Sequence, residues 1–412
     1  MSSATAKRAT KVPAPSREVR NWRNAIFVIF AACGMSAASI AARIPTISLA
    51  LHLNTAQVGL LLFGIAVGSI SGLLAAGHVV ANFGSKATIR FVVVSAALGL
   101  VTAAFGIAVV GSFAMSFAGL IVFGASFATC DVAMNLSGAA NERALGRSIM
   151  PVYHGFFSLG TILGAGLGTV AEGLHIPLEV HISVIAILVT VAMLVASRYL
   201  LPETPDATDA DGAAHPASTW RSRLAIWRDP RTILIGLVVL GMAFTEGSSN
   251  DWLSYAMVHG HGTSRATGAL VYSIFVCAMT VGRLTGVRLL DRFGRVVVLR
   301  STAVIAVIGL LLFIFVPVFW VDIVAVILWG LGASLGFPVG MSAAADDPQK
   351  AAARLSAVST IGYTAFLVGP PVLGFLGNQF GILHALLLVL ALCALAGIVA
   401  SAARNPTPTP TP

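Results

Sequence analysis

Asp131 sits in the stretch FATCDVAMN (127–135), inside an apolar run whose next charged residue is Glu142. Asn135 follows four residues later, on the same face of a helix. A second stretch, FTEGSSNDW (244–252), repeats the arrangement with Glu246 and Asn250. An ionised carboxylate at the centre of a membrane helix costs about 2.5–3.5 kcal/mol. Facing water, pairing with a cation, or taking up a proton avoids that cost. The first and third together describe a proton-coupling site; the second describes a structural ion pair. Asp131 and Glu246 are therefore the candidate coupling residues, and for Asp131 the ion pair is the alternative.

Candidate solute ligands lie around these acids. Asn135 and Asn250 offer amides, and Tyr272 and Tyr363 offer hydroxyls. Trp252 has the ring to stack on a sugar, or to sit in an interfacial aromatic belt. Arg43, next to Pro45 at the outer end of the first apolar run, has three options: binding an anionic group, clamping a carboxylate, or snorkelling to headgroups. Gly247, Ser248 and Ser249 weaken the helix between Glu246 and Asn250, where a transporter helix would unwind at its solute. Asp251 reads as an exposed charge near a helix end. His154, with Ser158 one turn on, suits an interface hydrogen bond, a gate or a proton relay. Arg283 is placed to approach Asp131 from another run.

The elements that position these residues must be membrane helices. The chain has 412 residues, 57% hydrophobic and only 10% charged, with a mean hydropathy of +0.91. Soluble domains carry about 25% charged residues, so this chain needs lipid as a second solvent. Apolar runs of roughly 20 residues give twelve spans, from Ala25–Ile44 to Ile382–Ala403. A lone segment in lipid satisfies its backbone only as a helix. An even number of spans puts both termini on one face. That face then carries 23 of the 25 lysines and arginines, with Arg43 and Arg265 on the other. The positive-inside rule makes the basic face cytoplasmic. The net charge of +9 is thus topological, and no nucleic-acid partner is expected. No apolar segment precedes Ala25, so no cleaved signal peptide is expected, and the inner membrane is the expected location. No metal-ligand spacing, nucleotide loop or nucleophile motif occurs, so neither a cofactor nor an enzymatic activity is expected. The four cysteines fall inside spans without pairing motifs.

The chain divides at its one long polar interruption. The expected units are a disordered basic tail (1–22), a six-helix bundle (23–200), a linker (201–230), a second bundle (231–404) and a disordered Pro/Thr tail (405–412). NFGSKATIR (82–90) and RFGRVVVLR (292–300) match at an offset of 210 residues, as do Gly72 and Gly282. The halves therefore read as a parallel repeat. Gly64, Gly68 and Gly72, and again Gly160, Gly164 and Gly168, put small residues on one helical face. These stripes serve either fixed packing or bundles that rock past one another. Pro370 and Pro371 should bend the eleventh helix.

Twelve spans, a central linker and a repeated turn after the second and eighth helices resemble the Major Facilitator Superfamily. That family's turn reads roughly G-x-x-x-D-R-x-G-R-R. VRLLDRFGRV (287–296) keeps Asp291, Arg292, Gly294 and Arg295, whereas the first copy has Ala81 and Asn82 at the acidic and basic positions. The resemblance implies an all-α membrane protein of two pseudo-symmetric six-helix bundles. It also implies alternating access, with Asp291, Arg292, Gly294 and Arg295 in the gate of the second half. CDVAMN (130–135) is similar to the fourth helix of the fucose–proton symporter group and related bacterial permeases. The carboxylate that this group carries on helix 1 is missing from residues 25–44, so fucose itself is not carried over. The helix 5 stretch GTILGAGLG lacks the Gly-Pro pair of the antiporter signature. The expectation is a monomeric, proton-coupled transporter of a small hydrophilic solute, with a sugar or polyol favoured. Proton-driven export of a drug or metabolite is one alternative, and a membrane sensor without flux is another.

Overall fold

The computed structural model describes residues 16–146, 149–202, 226–347 and 350–404. Most of the expected tails and linker, at 1–15, 203–225 and 405–412, lies outside these residues. The first half comprises α1 (Arg17–Ala41), the short α2 (Ile44–Ala50), α3 (Thr55–Phe105), α4 (Phe113–Leu145), α5 (Met150–Gly173) and α6 (Leu178–Ser197). The second comprises α7 (Pro230–His259), α8 (Arg265–Phe293), α9 (Arg295–Phe315), α10 (Phe319–Ala333), α11 (Gly336–Ala344), α12 (Ala351–Phe380) and α13 (Ile382–Val399). Among the described residues there is no strand.

Helix lengths set the number of crossings. The 51 residues of α3 would run about 77 Å if straight, more than twice the hydrocarbon core of about 30 Å. The helix breaks at Gly84, where φ is 73° and ψ 160°. It therefore crosses, turns and crosses back. α10 and α11 together make one crossing, and α2 makes none. Among the described residues twelve crossings result, each half contributing six.

Local chemistry explains the ends. α1 starts at Arg17, inside the segment expected to be a disordered tail up to residue 22. The Ser16 hydroxyl accepts from Val19 N at 3.2 Å, and Glu18 lies in the first turn, both favourable at a helix N-terminus. Asn54 and Gln57 form a reciprocal capping box on α3, with bonds of 2.9 and 3.0 Å. The Glu142 carboxylate accepts from the backbone N–H groups of Ile149 and Met150 at 2.7 Å each, closing the turn into α5.

The sequence repeat is also a structural repeat. Gly294 adopts φ 76° and ψ 164°, the conformation of Gly84, 210 residues earlier. A positive φ with extended ψ strains any residue with a Cβ, hence the paired glycines. Between the halves, the first crossing of α3 packs on α12, and α5 packs on α8. These are helices 2 with 11 and 5 with 8, so each interface is the other's copy under the repeat.

The cores show where the halves meet. One buried cluster joins Ala41, Ile44 and Val58 of the first half to Trp252, Tyr255 and Phe275 of the second. These residues lie toward the face opposite the start of α1, called here the far face. Toward the basic face each half keeps its own cluster, one around Ile26 and Val93, the other around Val239 and Leu299.

Glycine stripes serve packing inside the first half, not sliding between halves. Gly68 and Gly72 lie against the Ile121 and Ala125 carbonyls of α4, and Gly160 and Gly164 against Ala31 and Met35 of α1. The close approach between halves is elsewhere. A Cβ built on Gly374 of α12 would sit 3.0 Å from the Gly59 Cα of α3, and one on Gly59 would strike the Pro370 carbonyl. α12 stays helical through Pro370 and Pro371 and lays Pro370 against Gly59.

Candidate solute-binding site

A cavity of about 480 Å³ lies between the halves, near mid-membrane. Its polar lining includes Asp131, Glu246, Asn250, Asp251, Tyr272, Arg283 and Tyr363. Phe123, Phe127, Phe157 and Phe366 supply much of its apolar wall.

α4 brings Asp131 to this wall from a point about 27 Å along the helix. Asn135 Nδ2 donates to Asp131 Oδ1 at 3.2 Å and to the Asp131 carbonyl at 2.8 Å. Among the described residues no cation lies within ion-pair distance of Asp131. Asn135 thus braces the acid and does not itself line the cavity.

Arg283 reaches the other acid instead. Its Nη2 lies 2.7 Å from Glu246 Oε1, and its Nε donates to the Ser334 carbonyl at 3.4 Å. That carbonyl is available because Pro338, four residues on, has no N–H to offer it. The helix interruption expected between Glu246 and Asn250 therefore falls at Ser334–Leu335, between α10 and α11. α7 itself is helical from Pro230 to His259. Its serines return their hydroxyls to the chain, Ser248 to Phe244 O and Ser249 to Glu246 O, both at 2.6 Å. Gly247 packs on Phe366.

Other candidates divide by helical rotation. The Tyr272 hydroxyl donates to Asn250 Oδ1 at 3.1 Å, and Tyr363 is exposed at the cavity wall. Asp251, expected as an exposed loop-end charge, faces the cavity, because α7 continues eight residues beyond it. Trp252, one residue and about 100° further on, is fully buried in the core edge-on to Tyr255. It touches neither solute space nor an interface belt. His154 lies exposed toward the basic face, edge-on to Phe30, and outside the cavity.

Arg43 is neither a solute ligand nor a snorkelling side chain. It is 2% exposed and pairs with Glu172 at 3.0 Å, also donating to the Ile176 carbonyl at 2.8 Å. Thr46 donates its hydroxyl to the same carboxylate. Arg265, from the second half, approaches Glu172 Oε2 at 3.6 Å. The two bases that break the charge asymmetry of the sequence thus converge on one buried acid. Glu172 escaped the sequence reading because it falls just beyond the expected end of helix 5. The isolated outer arginines were the available signal.

This cluster belongs to a closed far face. Ser254 donates to the Ala41 carbonyl at 2.9 Å, the hydroxyls of Thr55 and Tyr255 lie 3.0 Å apart, and those of Thr169 and Ser273 lie 3.1 Å apart. These three bonds and the Arg265–Glu172 pair join the halves on this side. Packing of the two halves around Ala41, Ile44, Trp252 and Tyr255 closes the cavity on this side.

The expected gate residues lie around the turn at Gly294, toward the basic face. Asp291 is exposed and has no ion-pair partner among the described residues. Arg292 lies over the Phe293 ring at 5.2 Å, and Gly294 makes the turn. Arg295 pairs with Asp346 at 2.6 Å and with Ser342 at 2.9 Å, and Arg231 joins Asp346 at 3.1 Å. The acid of this network is therefore Asp346, at the end of α11, rather than Asp291.

Comparison with known proteins agrees with this architecture. An uncharacterized MFS-type transporter of Yersinia pestis is 30% identical over 389 residues, covering 93% of this chain and 96% of its own. The chain belongs to the Major Facilitator Superfamily. The family model for the Major Facilitator Superfamily also matches residues 247–412. Membrane protein MosC of Rhizobium meliloti is 28% identical, covering 87% of this chain and 84% of its own. A mutant of the nucleoside transporter NupG superposes with a TM-score of 0.75 at 14% identity, over 94% of this chain and all of its own. FucP in the outward conformation gives 0.66 at 17% identity, over 95% and 100%. As a superfamily member the protein is a multi-pass membrane transporter of a small molecule, not an enzyme.

Proposed function

We propose that this superfamily member is a proton-coupled secondary transporter of a small hydrophilic, uncharged solute, with sugars or polyols favoured. The observation that carries the reading is Asp131, a mid-membrane carboxylate on the cavity wall with no cation partner. Such a group avoids the cost of burial by facing water or by taking up a proton, and a cavity that changes sides lets it do each in turn. The similar folds include a nucleoside transporter and a fucose:proton symporter, both handling hydroxylated sugar rings. Asn250, Tyr272 and Tyr363 supply neutral hydrogen-bonding groups suited to hydroxyls. The aromatic wall suits the apolar face of such a ring.

In this mechanism the basic face is cytoplasmic and the protein sits in the inner membrane, as a monomer. The described state is then inward-open, held by the Arg43–Glu172–Arg265 cluster. Opening outward breaks Glu172–Arg265 and separates Gly59 from Gly374. Protonation of Asp131 from outside removes its charge, permits the bundles to close around solute, and is reversed when the cavity opens inward. Glu246, neutralised by Arg283, serves as a fixed polar anchor unless solute draws Arg283 away.

The test is solute-driven proton movement in proteoliposomes loaded with a pH dye. A sugar or polyol added outside should acidify the lumen; solute entry without any pH change would refute coupling. A second reading is export of a cationic, amphipathic molecule. It is favoured by Asp131, Glu246 and Asp251 facing one cavity in which Arg283 is the one cation among the lining residues. Organic cations that move against an opposing proton gradient would decide for it.

A further inference from the structure

The lipid-facing side of α3 carries a groove of about 920 Å³ near the basic face. It begins at Gly84 and is bounded by Lys86, Arg90 and Phe91, with Leu98 further along and Pro202 beyond the end of α6. Lys86 Nζ donates to the carbonyls of Arg198 and Leu200 at 3.1 and 3.0 Å, and Arg90 Nε donates to Ser197 Oγ at 2.9 Å. These bonds fix both bases at the mouth of the groove without neutralising them. Among the described residues no carboxylate lies within ion-pair distance of Lys86, Arg90 or Arg198.

The second half handles the equivalent turn differently. In the second half, the turn at Gly294 is followed by Arg295, which Asp346 neutralises at 2.6 Å. The first half has Ala81 where the second has Asp291, and its bases face only carbonyls and a hydroxyl. Below the bases, Phe91, Val94 and Leu98 form a stripe on one helical face, 73%, 41% and 63% exposed. The stripe runs about 10 Å along the helix, away from the basic face and into the membrane.

We propose that this groove binds one anionic glycerophospholipid. Its phosphate rests between the Lys86 ammonium and the Arg90 guanidinium, over the first turn of the helix that restarts at Ser85. The positive end of that helix adds to the attraction. One acyl chain follows Phe91, Val94 and Leu98. A zwitterionic lipid fits the stripe equally but brings no net charge for the two bases, so discrimination is by charge at the interface.

The test is native mass spectrometry of the full chain released from phosphatidylcholine nanodiscs containing phosphatidylglycerol. Wild-type protein should retain one phosphatidylglycerol in preference to phosphatidylcholine, and Lys86→Gln/Arg90→Gln should lower that affinity about tenfold or more. Arg288→Gln/Arg300→Gln, which removes equal charge from the second half, should leave it unchanged. Equal retention in the first double variant overturns the proposal, as does displacement of the lipid by millimolar inorganic phosphate. A Leu98→Trp variant keeps the question open to measurement even if the double variant misfolds. Its added fluorescence should be quenched at a lower mole fraction of brominated phosphatidylglycerol than of brominated phosphatidylcholine; identical curves contradict the site.

Discussion

Arg283 lies 2.7 Å from Glu246 and holds it in an ion pair, while Asp131, on the opposite wall of the same cavity, has Asn135 as its only side-chain partner among the described residues. The two acids that look alike in the sequence therefore have different chemistry. One is compensated by a fixed cation; the other must face water or gain a proton.

The Glu246–Arg283 pair is partly exposed, at 16% and 32%, so solvent screens it. Glu246→Gln or Arg283→Gln alone should each cost about 1–2 kcal/mol, because each strands a partner in a low-dielectric wall. The double variant should cost less than the sum of the two. Thermal unfolding of the purified proteins measures the coupling, and simple additivity would show that the pair has no energetic role.

Closure of the far face predicts a cross-link. Thr169 and Ser273 lie on opposite halves with hydroxyls 3.1 Å apart. In a background without the native cysteines, Thr169→Cys/Ser273→Cys should form a disulfide that stops transport until reduced. Arg265→Ala, which removes the second-half partner of Glu172, should lower the yield several-fold by populating the outward-open state. Yield is read on gels after mild oxidation.

The approach of α3 to α12 leaves no room for a side chain at Gly59. Gly59→Leu should hold the far face apart, reducing the same cross-link and abolishing uphill transport, with the protein still folded by thermal unfolding. Gly77→Ala, where an added Cβ meets no atom within 4 Å, is the matched control and should transport normally.

Asp229 stands at the N-cap position of α7, outside the membrane. Burial pushes its carboxyl up, but hydrogen bonds from Thr232 and Arg354 outweigh this and hold it below the ordinary range. Its contribution is therefore full above the ordinary carboxylate pKa of about 4 and fades as pH falls through the lowered value. Asp229→Asn should lower thermal stability at neutral pH by less than about 1 kcal/mol, and the difference from wild type should shrink in acid.

Much of the fold was legible because lipid leaves few solutions. Apolar length located the twelve crossings, and the Gly84/Gly294 turns marked the repeat. Asp131, Glu246, Asn250 and Tyr272 were found as polar residues inside apolar runs, where polarity is expensive. What escaped was rotational and pairwise. Asp251 and Trp252 are neighbours in sequence, yet one faces the cavity and the other the core, and a shift of one residue decides which. Arg283 chose Glu246 over Asp131, and Asp346 rather than Asp291 holds Arg295, because such pairings depend on how helices are set against one another. The unwinding expected in α7 fell in α10–α11, since back-bonding serines kept α7 intact while Pro338 removed a donor from its neighbour.

Proton coupling in the proposed mechanism depends on Asp131 as the group that exchanges protons. The most direct measurement compares solute exchange with uphill accumulation in proteoliposomes carrying Asp131→Asn, which keeps size and hydrogen bonding but cannot titrate. Exchange of labelled solute down its own gradient should persist near the wild-type rate, while accumulation driven by a proton gradient should vanish. Undiminished accumulation by the variant would contradict a coupling role for Asp131.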